Sequence, residues 1–360
     1  KVQLIEVSDR YYEKLQTLFA TGNAPDVLSI NYGRLGDFTR EGLLADLSPL
    51  AAGRPEIDRS RFVPVAYDTF ASVGPTVGRP GLYALPRDWG PTNLLAFDKD
   101  AFDAAALPYP TSGYTWQHFA SACRKLTVRH DGTVKQYGAA ICLYPYAFAA
   151  WVYQNDGVLL SENGDLIAIG ERASVGAVRF LKGLVDERVI APPSAAHDES
   201  ADEFLRGKVA MSFVTPYNLA ALREAEGKRW GIAPPLEGVR RVTGCIPTGI
   251  AISVACRNRG AAMDFAQYWV TSAGDVASAG YCVPAWKPAL DSSAMEEGFG
   301  PQAASVLRSA ATYARPYPAS RLLPYELMLD HVKYALDEVF VKGVEPGRAL
   351  LSAQENANVE

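Results

Sequence analysis

The sequence lacks the features by which nucleic-acid-binding and membrane-spanning proteins are usually identified. Its 360 residues include 35 basic and 40 acidic side chains, which gives a formal net charge of −5. No block of like charges occurs, and no apolar run reaches about 18 residues, the length that a membrane span requires. Nucleic acids and anionic membranes select proteins with a basic excess, so the charge balance argues against both as partners.

Motifs for metal binding and covalent catalysis are also missing. The five cysteines form no C-x-x-C pair and the four histidines are scattered, so no zinc-site spacing is present. No G-x-S-x-G nucleophile elbow, H-E-x-x-H motif or Walker A sequence occurs. We therefore expect no catalytic residue, no metal and no cofactor. The odd number of cysteines leaves their disulfide pairing open.

The composition that remains favours a large α/β protein. Hydrophobic residues make up 48% and charged residues 21% of a chain too long for one ordinary core, so two domains are expected. Apolar residues alternate between helical and extended spacing, which is typical of an α/β fold. Helices are predicted over residues 9–20, 115–126, 173–187, 261–271 and 324–341. Strands are predicted over residues 27–30, 138–143, 209–214 and 250–255.

One stretch is unusually furnished for a loop. Residues 82–99 read LYALPRDWGPTNLLAFDK, in which two apolar runs flank the insert PRDWGP. The prolines restrict the backbone, so Arg87, Asp88 and Trp89 are expected to be held in fixed positions. Glycine and proline are dense at 74–91 and again at 244–249, and each stretch runs directly into a strand. We expect both to be chain crossings between two lobes.

Several segments along the chain share an order with one known family. They are YEKL to GNAPDV at 12–27, GLLADLSPL at 42–50, LYALP at 82–86, LAFDKDAF at 95–102, YTWQHF at 114–119, KLT at 125–127, FLRGKVAM at 204–211, WGIAPP at 230–235, residues 249–253 and ARP at 314–316. This ordered set resembles the extracellular solute-binding proteins of ABC importers, family 1, the maltose-binding-like type whose members mostly bind sugars. No single segment is specific, but the set spans nearly the whole chain.

The resemblance implies a two-lobed periplasmic-binding-protein-like fold (type II), with ligand in the interlobe cleft and closure by hinge motion. The first lobe would comprise residues 1–91 plus 249–295, and the second 92–248 plus 296–360. Family members begin about one strand–helix unit earlier, so we expect such a unit to precede residue 1. The implied location is periplasmic or extracellular, with membrane association only through a lipid anchor in a preceding segment.

The resemblance also implies the partners. The protein is expected to be a monomer that captures a small carbohydrate or polyol and delivers it to the permease subunits of an ABC transporter. It is not expected to be an enzyme. A sensor that presents its closed form to a receptor is an alternative that the sequence does not separate from a transporter.

Ligand contacts are expected after the predicted strands, because ligands of open α/β sheets bind beyond the strands' carboxyl ends. Aspartate, asparagine and arginine can satisfy hydroxyl groups, and aromatic rings can stack on a sugar ring. The resemblance places contacts after strand 27–30, near 217, at the 248–249 crossing, near 281–286 and at 315. The candidates are Asn31, Tyr32, Asp88, Trp89, Tyr144, Tyr146, Trp151, Tyr217, Asn218, Thr248, Gly249, Tyr281, Trp286 and Arg315.

Other interpretations of the same residues stay open. Tyr144, Tyr146 and Tyr217 could bind ferric iron as phenolates, and Arg87 with Arg315 could bind an anionic or phosphorylated sugar. Asp88 with a second carboxylate could serve a glycoside-active enzyme. For single side chains, the plain alternatives are hinge packing for Trp89, helix burial for Trp151 and a surface position for Arg315.

Overall fold

The fold is described from a computed structural model that covers residues 2–7, 9–71, 81–162, 164, 166–193, 197–225, 227–318 and 324–359. The helices are α1 (Tyr11–Ala20), α2 (Tyr32–Arg40), α3 (Ser48–Ala51), α4 (Pro64–Ala71), α5 (Lys99–Ala104), α6 (Trp116–Leu126), α7 (Pro145–Gln154), α8 (Arg172–Asp186), α9 (His197–Leu205), α10 (Pro216–Glu224), α11 (Arg259–Thr271), α12 (Ala273–Ser278), α13 (Lys287–Leu290), α14 (Ala294–Phe299), α15 (Pro301–Ala310), α16 (Tyr325–Phe340) and α17 (Pro346–Ala357). The strands are β1 (Val27–Asn31), β2 (Leu85–Asp88), β3 (Leu94–Asp98), β4 (Val128–His130), β5 (Thr133–Gln136), β6 (Met211–Val214), β7 (Trp230–Ala233), β8 (Thr243–Cys245), β9 (Thr248–Ile252) and β10 (Ala314–Pro316). Two short 3₁₀ turns, Pro55–Ile57 and Arg59–Arg61, follow α3.

Two three-stranded sheets organise the molecule into two lobes. The first lobe is built around the sheet β1-β9-β2, in which β9 runs antiparallel to both neighbours. The second lobe is built around the sheet β6-β3-β7, in which β3 is the central, antiparallel strand. The carboxyl ends of β1 and β2 therefore meet at one edge of the first sheet.

Alternating side chains of β3 divide the apolar interior into two cores. Leu94 and Ala96 point into a core shared with the first sheet, whereas Leu95 and Phe97 point into a second core formed with α6, α7, α8, α16 and α17. This is the period-two alternation that a strand covered on both faces requires. The second sheet is thus packed on both sides, and the first core is continuous between the lobes.

Three chain segments lie side by side between the sheets. The first joins β2 to β3, and its Thr92 N–H donates to the Gly244 carbonyl at 2.8 Å. The second joins β8 to β9, and the third is β10, which pairs in parallel with β8. Asn93 adopts a left-handed backbone (φ 58°), a conformation that asparagine tolerates better than most residues. The stretches predicted to cross between lobes, 74–91 and 244–249, overlap the first two of these segments, and residues 74–80 are outside the described part of the chain. The residue boundaries of the two lobes stay a prediction.

Most predicted elements form within a few residues of their expected ends. The helix predicted over 115–126 is α6, and Thr115 caps it by accepting a hydrogen bond from the His118 N–H at 3.2 Å. The strand predicted over 138–143 is the exception. This segment makes only isolated bridges, at Ala139 with Ile190 and at Ala140 with Ser212, so it borders the second sheet without becoming a regular strand.

Candidate functional site

A row of three predicted residues lies at the carboxyl edge of the first sheet. Thr248 opens β9 and pairs with Asn31, the last residue of β1, on one side and with Asp88, the last residue of β2, on the other. The Asn31 side chain caps α2 by accepting from the Gly33 N–H at 2.9 Å. The neighbouring Tyr32 N–H donates to the Pro247 carbonyl at 3.0 Å. Strand register therefore brings together residues that are far apart in the sequence.

Asp88 is a buried carboxylate held on one side by Arg87. The Asp88 side chain is 1% exposed and that of Arg87 is 26% exposed. Arg87 Nε and Nη2 lie 2.7 and 2.6 Å from the same oxygen, Asp88 Oδ2. The other oxygen, Oδ1, is buried and accepts no hydrogen bond of normal geometry from the described residues. Thr248 lies against the same carboxylate, and the charge of Asp88 is balanced by Arg87.

Burial and the neighbouring polar groups have opposite effects on the pKa of Asp88. Burial raises the pKa of the Asp88 carboxyl above its ordinary value, while the Arg87 charge and the nearby Thr248 act in the opposite direction. Tyr217 lines the same cavity as Arg87, and the negative charge of Asp88 raises the pKa of its phenol. Tyr217 comes from α10 of the second lobe, so the two lobes face each other here.

Four tyrosines of the second lobe form an aromatic cluster. Tyr144 stacks on Tyr146 with ring centroids 5.0 Å apart. Tyr146 meets the edge of Tyr317 at 5.3 Å, and Tyr325 lies 6.0 Å from Tyr317. Tyr144 and Tyr146 stand at the start of α7, directly after the 138–143 segment that borders the second sheet. These two tyrosines thus lie at the edge of the second sheet, as the polar row Asn31–Thr248–Asp88 lies at the edge of the first.

Helices α2 and α16 bring this tyrosine cluster against the first lobe. Arg34 on α2 forms an ion pair with Glu326 on α16 and also lies 5.1 Å above the Tyr12 ring. The Tyr12 hydroxyl accepts a hydrogen bond from the Asn31 N–H at 2.7 Å. Gly33 packs so closely on the Tyr325 ring that a Cβ there would overlap it. The polar row and the tyrosine cluster are therefore joined at one rim.

A cavity of about 240 Å³ lies beside the Arg87 side chain. Its lining comes from β2, α10, α11, α12 and the segment before α13. The lining residues are Arg87, Tyr217, Trp269, Ala273, Val276, Tyr281 and Cys282. Two predicted residues, Tyr217 and Tyr281, thus share this space with the Arg87–Asp88 pair.

Several predicted residues lie apart from this set. Trp151 is fully buried in the second core between Trp116, Phe119 and Phe213. Trp286 is half-buried against the first core, where its Nε1 donates to the Glu56 carbonyl at 2.9 Å.

Trp89 and Gly249 are turned towards the packed interior. Trp89 is fully buried in the first core, and its Nε1 has no hydrogen-bond partner among the described residues. At Gly249, a Cβ would lie 2.8 Å from the Ala84 Cβ and 3.0 Å from the Leu85 carbonyl oxygen. Close packing inside the lobe therefore accounts for this glycine.

Asn218 and Arg315 have structural partners. The Asn218 Oδ1 accepts from both the N–H and the hydroxyl of Thr215, each at 2.9 Å, and so caps α10. The Arg315 guanidinium is exposed and lies 4.2 Å above the Tyr153 ring. Its charge contributes to lowering the pKa of Asp156, after the larger effect of Arg240.

Three aromatic residues gathered at this rim, Tyr12, Tyr317 and Tyr325, are not among those that the sequence predicts. Tyr317 directly follows β10, so the rule that selected Tyr144 and Tyr217 would also have found it. Tyr12 belongs to the apolar stripe of α1 and Tyr325 begins α16, and neither position carries a local signal of ligand contact.

Two α/β lobes joined by three adjacent segments, with polar and aromatic side chains gathered where the lobes face, define a hinged two-lobed binding protein. The chain belongs to the family described as bacterial extracellular solute-binding protein, which matches residues 1–276. Within the described residues, no helix combines the length and apolar character needed to cross a membrane.

Individual relatives agree with this membership. An uncharacterised lipoprotein encoded in the oleD 5′ region of Streptomyces antibioticus is 30% identical over 288 residues, which are 74% of this chain and 59% of that protein. The chain thus spans less than two thirds of this relative's length.

Two solved structures share the fold over nearly the whole chain. The sugar-binding protein MalE of Xanthomonas citri superposes with a TM-score of 0.82 at 18% identity and covers 100% of this chain and 89% of its own. An ABC substrate-binding protein of Listeria monocytogenes, solved in complex with cycloalternan, superposes with a TM-score of 0.81 at 23% identity. The match covers 99% of this chain and 90% of that protein.

Proposed function

We propose that this protein is the substrate-binding component of an ABC importer and captures a small neutral carbohydrate or polyol between its lobes. The protein is exported, binds its ligand by hinge closure and delivers it to permease subunits. Family membership supports the class of protein, and the arrangement around Asp88 supports the ligand class. The family consists of binding proteins, and we propose no enzymatic activity.

The observation that carries the ligand class is the buried Asp88 carboxylate, whose Oδ1 makes no hydrogen bond of normal geometry within the described part of the chain. A buried carboxylate oxygen without a partner is costly, and a ligand hydroxyl would satisfy it with a charge-assisted hydrogen bond. Thr248 and Asn31 lie beside it in the row and offer further polar groups. Tyr217 and the cluster around Tyr146 supply aromatic faces from the opposite lobe. Such a mixture of polar groups and aromatic faces suits a sugar.

The charge arrangement favours a neutral ligand over an anionic one. Two donors of Arg87 already contact Asp88 Oδ2, so the pair carries no net charge. Arg315 lies over Tyr153 and far along α7 from Tyr146, so it does not add a cation to the row. Among the described residues, the guanidinium beside Asp88 is already paired, which disfavours a phosphorylated or acidic sugar.

The remaining interpretations find less support. The pKa values of Tyr144, Tyr146 and Tyr217 are all raised, which disfavours the phenolates that ferric iron would need. The groups that shift the pKa of Asp88 are Arg87 and Thr248, with no second carboxylate among them in the described chain. A glycosidase would need such a carboxylate nearby.

The test compares ligand classes on the purified protein by thermal shift and calorimetry. The panel contains neutral mono- and disaccharides, polyols, sugar phosphates, amino acids and ferric citrate. We expect stabilisation by a neutral sugar or polyol and a loss of affinity of at least about tenfold in Asp88→Asn, because the amide replaces a charged acceptor.

The matched control is Asp264→Asn, which alters an aspartate ion-paired with Arg54 on the surface of the first lobe. This variant should bind like the unchanged protein. Stabilisation by sugar phosphates, amino acids or iron alone would refute the neutral-sugar assignment, and equal effects of both variants would remove Asp88 from the site.

A further inference from the structure

The wall of the cavity beside Arg87 is mostly apolar surface. Ala273 and Val276 are aliphatic, and Cys282 carries a thiol that burial and the Asp88 charge keep protonated by raising its pKa to about 12. Arg87 uses Nε and Nη2 on Asp88. The two tyrosines and the tryptophan of the lining add only one polar atom each, so a sugar ring in this space would place most of its hydroxyl groups against apolar surface, which is unfavourable once water is excluded.

The mouth of the cavity exposes an unusual amount of apolar surface. Tyr281 is 66% exposed, Tyr217 58% and Val276 40%, and Trp269 stands beside them. Single exposed apolar residues are common, but four around one cavity form a patch that a ligand or partner would cover. Burying this surface would be favourable in proportion to its apolar area.

The positive charge of Arg87 restricts which chemical groups can occupy the cavity. Arg87 lines the cavity directly, so a quaternary ammonium group, which aromatic side chains otherwise bind, would meet a guanidinium. Arg87 Nη1 is not used on Asp88 and lies 3.4 Å from Ser29 Oγ, but an anion bound there would be repelled by the neighbouring Asp88 carboxylate. The group that remains compatible with the lining is neutral and apolar.

We propose that this cavity receives a neutral, hydroxyl-poor group attached to the sugar, so that the natural ligand is a glycoside with an apolar end. The inference rests on the proposed function: the sugar occupies the Asn31–Thr248–Asp88 row, and its apolar substituent passes Arg87 into the cavity. The cavity volume of about 240 Å³ admits a group of the size of a phenyl ring.

The experiment uses matched pairs of methyl and phenyl glycosides of glucose, galactose, mannose, xylose and N-acetylglucosamine in both anomeric forms. Calorimetry on the full chain gives the ratio of the two dissociation constants for each sugar that binds. We expect the phenyl glycoside to bind at least about tenfold more tightly, because its ring is buried against the apolar lining.

Substitutions at Val276, a lining residue, test whether the phenyl group binds in the cavity. Val276→Asp puts a charge on the wall and should reduce the phenyl-to-methyl advantage to about twofold or less. Val254→Asp is the control, because Val254 is also 40% exposed and lies in the first lobe outside the cavity lining. Val276→Ser is a milder second variant, and the melting temperature of each variant confirms that it folds.

The outcomes separate this inference from the proposed function. Sugars that bind without any phenyl advantage would overturn the apolar-end inference and leave the proposed function standing. An advantage that persists in both Val276 variants would place the substituent elsewhere and also overturn it. No binding of any sugar or glycoside in the panel would overturn both.

Discussion

At the scale of single residues, the position of Asp88 makes ligand binding sensitive to pH. Burial raises the pKa of its carboxyl above the ordinary 3.8, with Arg87 and Thr248 opposing. A ligand hydroxyl donates to the carboxylate form, so affinity should fall on acidification at a pH above that of an ordinary aspartate. Calorimetry between about pH 7.5 and 4.5 measures this fall, and Asp88→Asn should show a flat profile over the range.

The Asp88 carboxyl affects the stability of the fold in the opposite direction: acidification weakens ligand binding but favours the folded state. Because the folded-state pKa is raised, the carboxyl stabilises the fold below the unfolded-state value and loses this contribution as pH rises through the folded-state value. Thermal unfolding without ligand should therefore lose less stability between acid and neutral pH in Asp88→Asn than in the unchanged protein. An affinity of the unchanged protein that is constant with pH would show that Asp88 is not the acceptor.

The cysteines give a second prediction at this scale. All five are buried and no disulfide joins them. Burial raises the pKa of the Cys123, Cys245 and Cys282 thiols, so little reactive thiolate forms at neutral pH. A thiol reagent such as dithionitrobenzoate at pH 8 should react slowly with the native protein and with five thiols after denaturation. A rapid reaction of one thiol in the native state would contradict the burial.

At the scale of elements, Glu345 connects two helices of the second lobe. It accepts a hydrogen bond from the Arg348 N–H at 2.9 Å, which caps α17, and pairs with Arg179 on α8 at 2.5 Å. The Arg179 hydrogen bond and the backbone N–H groups lower the pKa of Glu345 from 4.5 to about 2. A lowered pKa stabilises the fold above the unfolded-state value, and this contribution is lost as pH falls through about 2.

Glu345→Gln should therefore lower the melting temperature at neutral pH by roughly 1 to 2 °C and have a smaller effect as pH approaches 2. The matched control is Glu355→Gln, an exposed position on the same helix. Scanning calorimetry at several pH values measures the difference. The prediction fails if both variants behave alike at neutral pH.

The elements also show which parts of the fold a sequence can predict. Helix α6 follows its prediction because its apolar stripe and the Thr115 cap are local signals. The 138–143 segment has an apolar run typical of a strand, but its pairing depends on partners at 190 and 212 that no local pattern specifies. Long-range pairing therefore decides whether a buried extended segment becomes a regular strand.

At the scale of the whole molecule, the site depends on contacts between distant segments. Strand ends can be read locally, and this led to Asn31, which pairs with Thr248 in the row, and to Tyr217, which lines the same cavity as Arg87. Their contact with a ligand stays a prediction. The sequence also predicts contacts at Trp151 and Trp286, since an aromatic residue after a strand or turn does not reveal whether it faces a cleft or a core. The sequence does not predict Tyr325 as a site residue, because only the packing of α16 on α2 brings it there.

That packing of α16 on α2 provides a test of hinge closure. Gly33 on α2 lies against the Tyr325 ring with no room for a Cβ, and the Arg34–Glu326 ion pair lies next to it. In Gly33→Ala, the added methyl group should hold the helices apart, because packed interfaces yield little to an inserted carbon. If this contact belongs to the closed state, the variant should bind sugar at least about tenfold more weakly. Small-angle scattering should show a smaller ligand-induced decrease in its radius of gyration.

Gly36→Ala is the matched control on the same helix. A Cβ at Gly36 would meet only Arg40 Nη1, at 3.9 Å, and this long side chain can move. Alanine also favours the helix more than glycine does, so this variant should fold at least as well as the unchanged protein and close normally. If Gly33→Ala and Gly36→Ala bind sugar equally and contract equally, the contact between α2 and α16 does not control closure. A selective loss in Gly33→Ala would instead assign this rim of the cleft to the ligand-bound state.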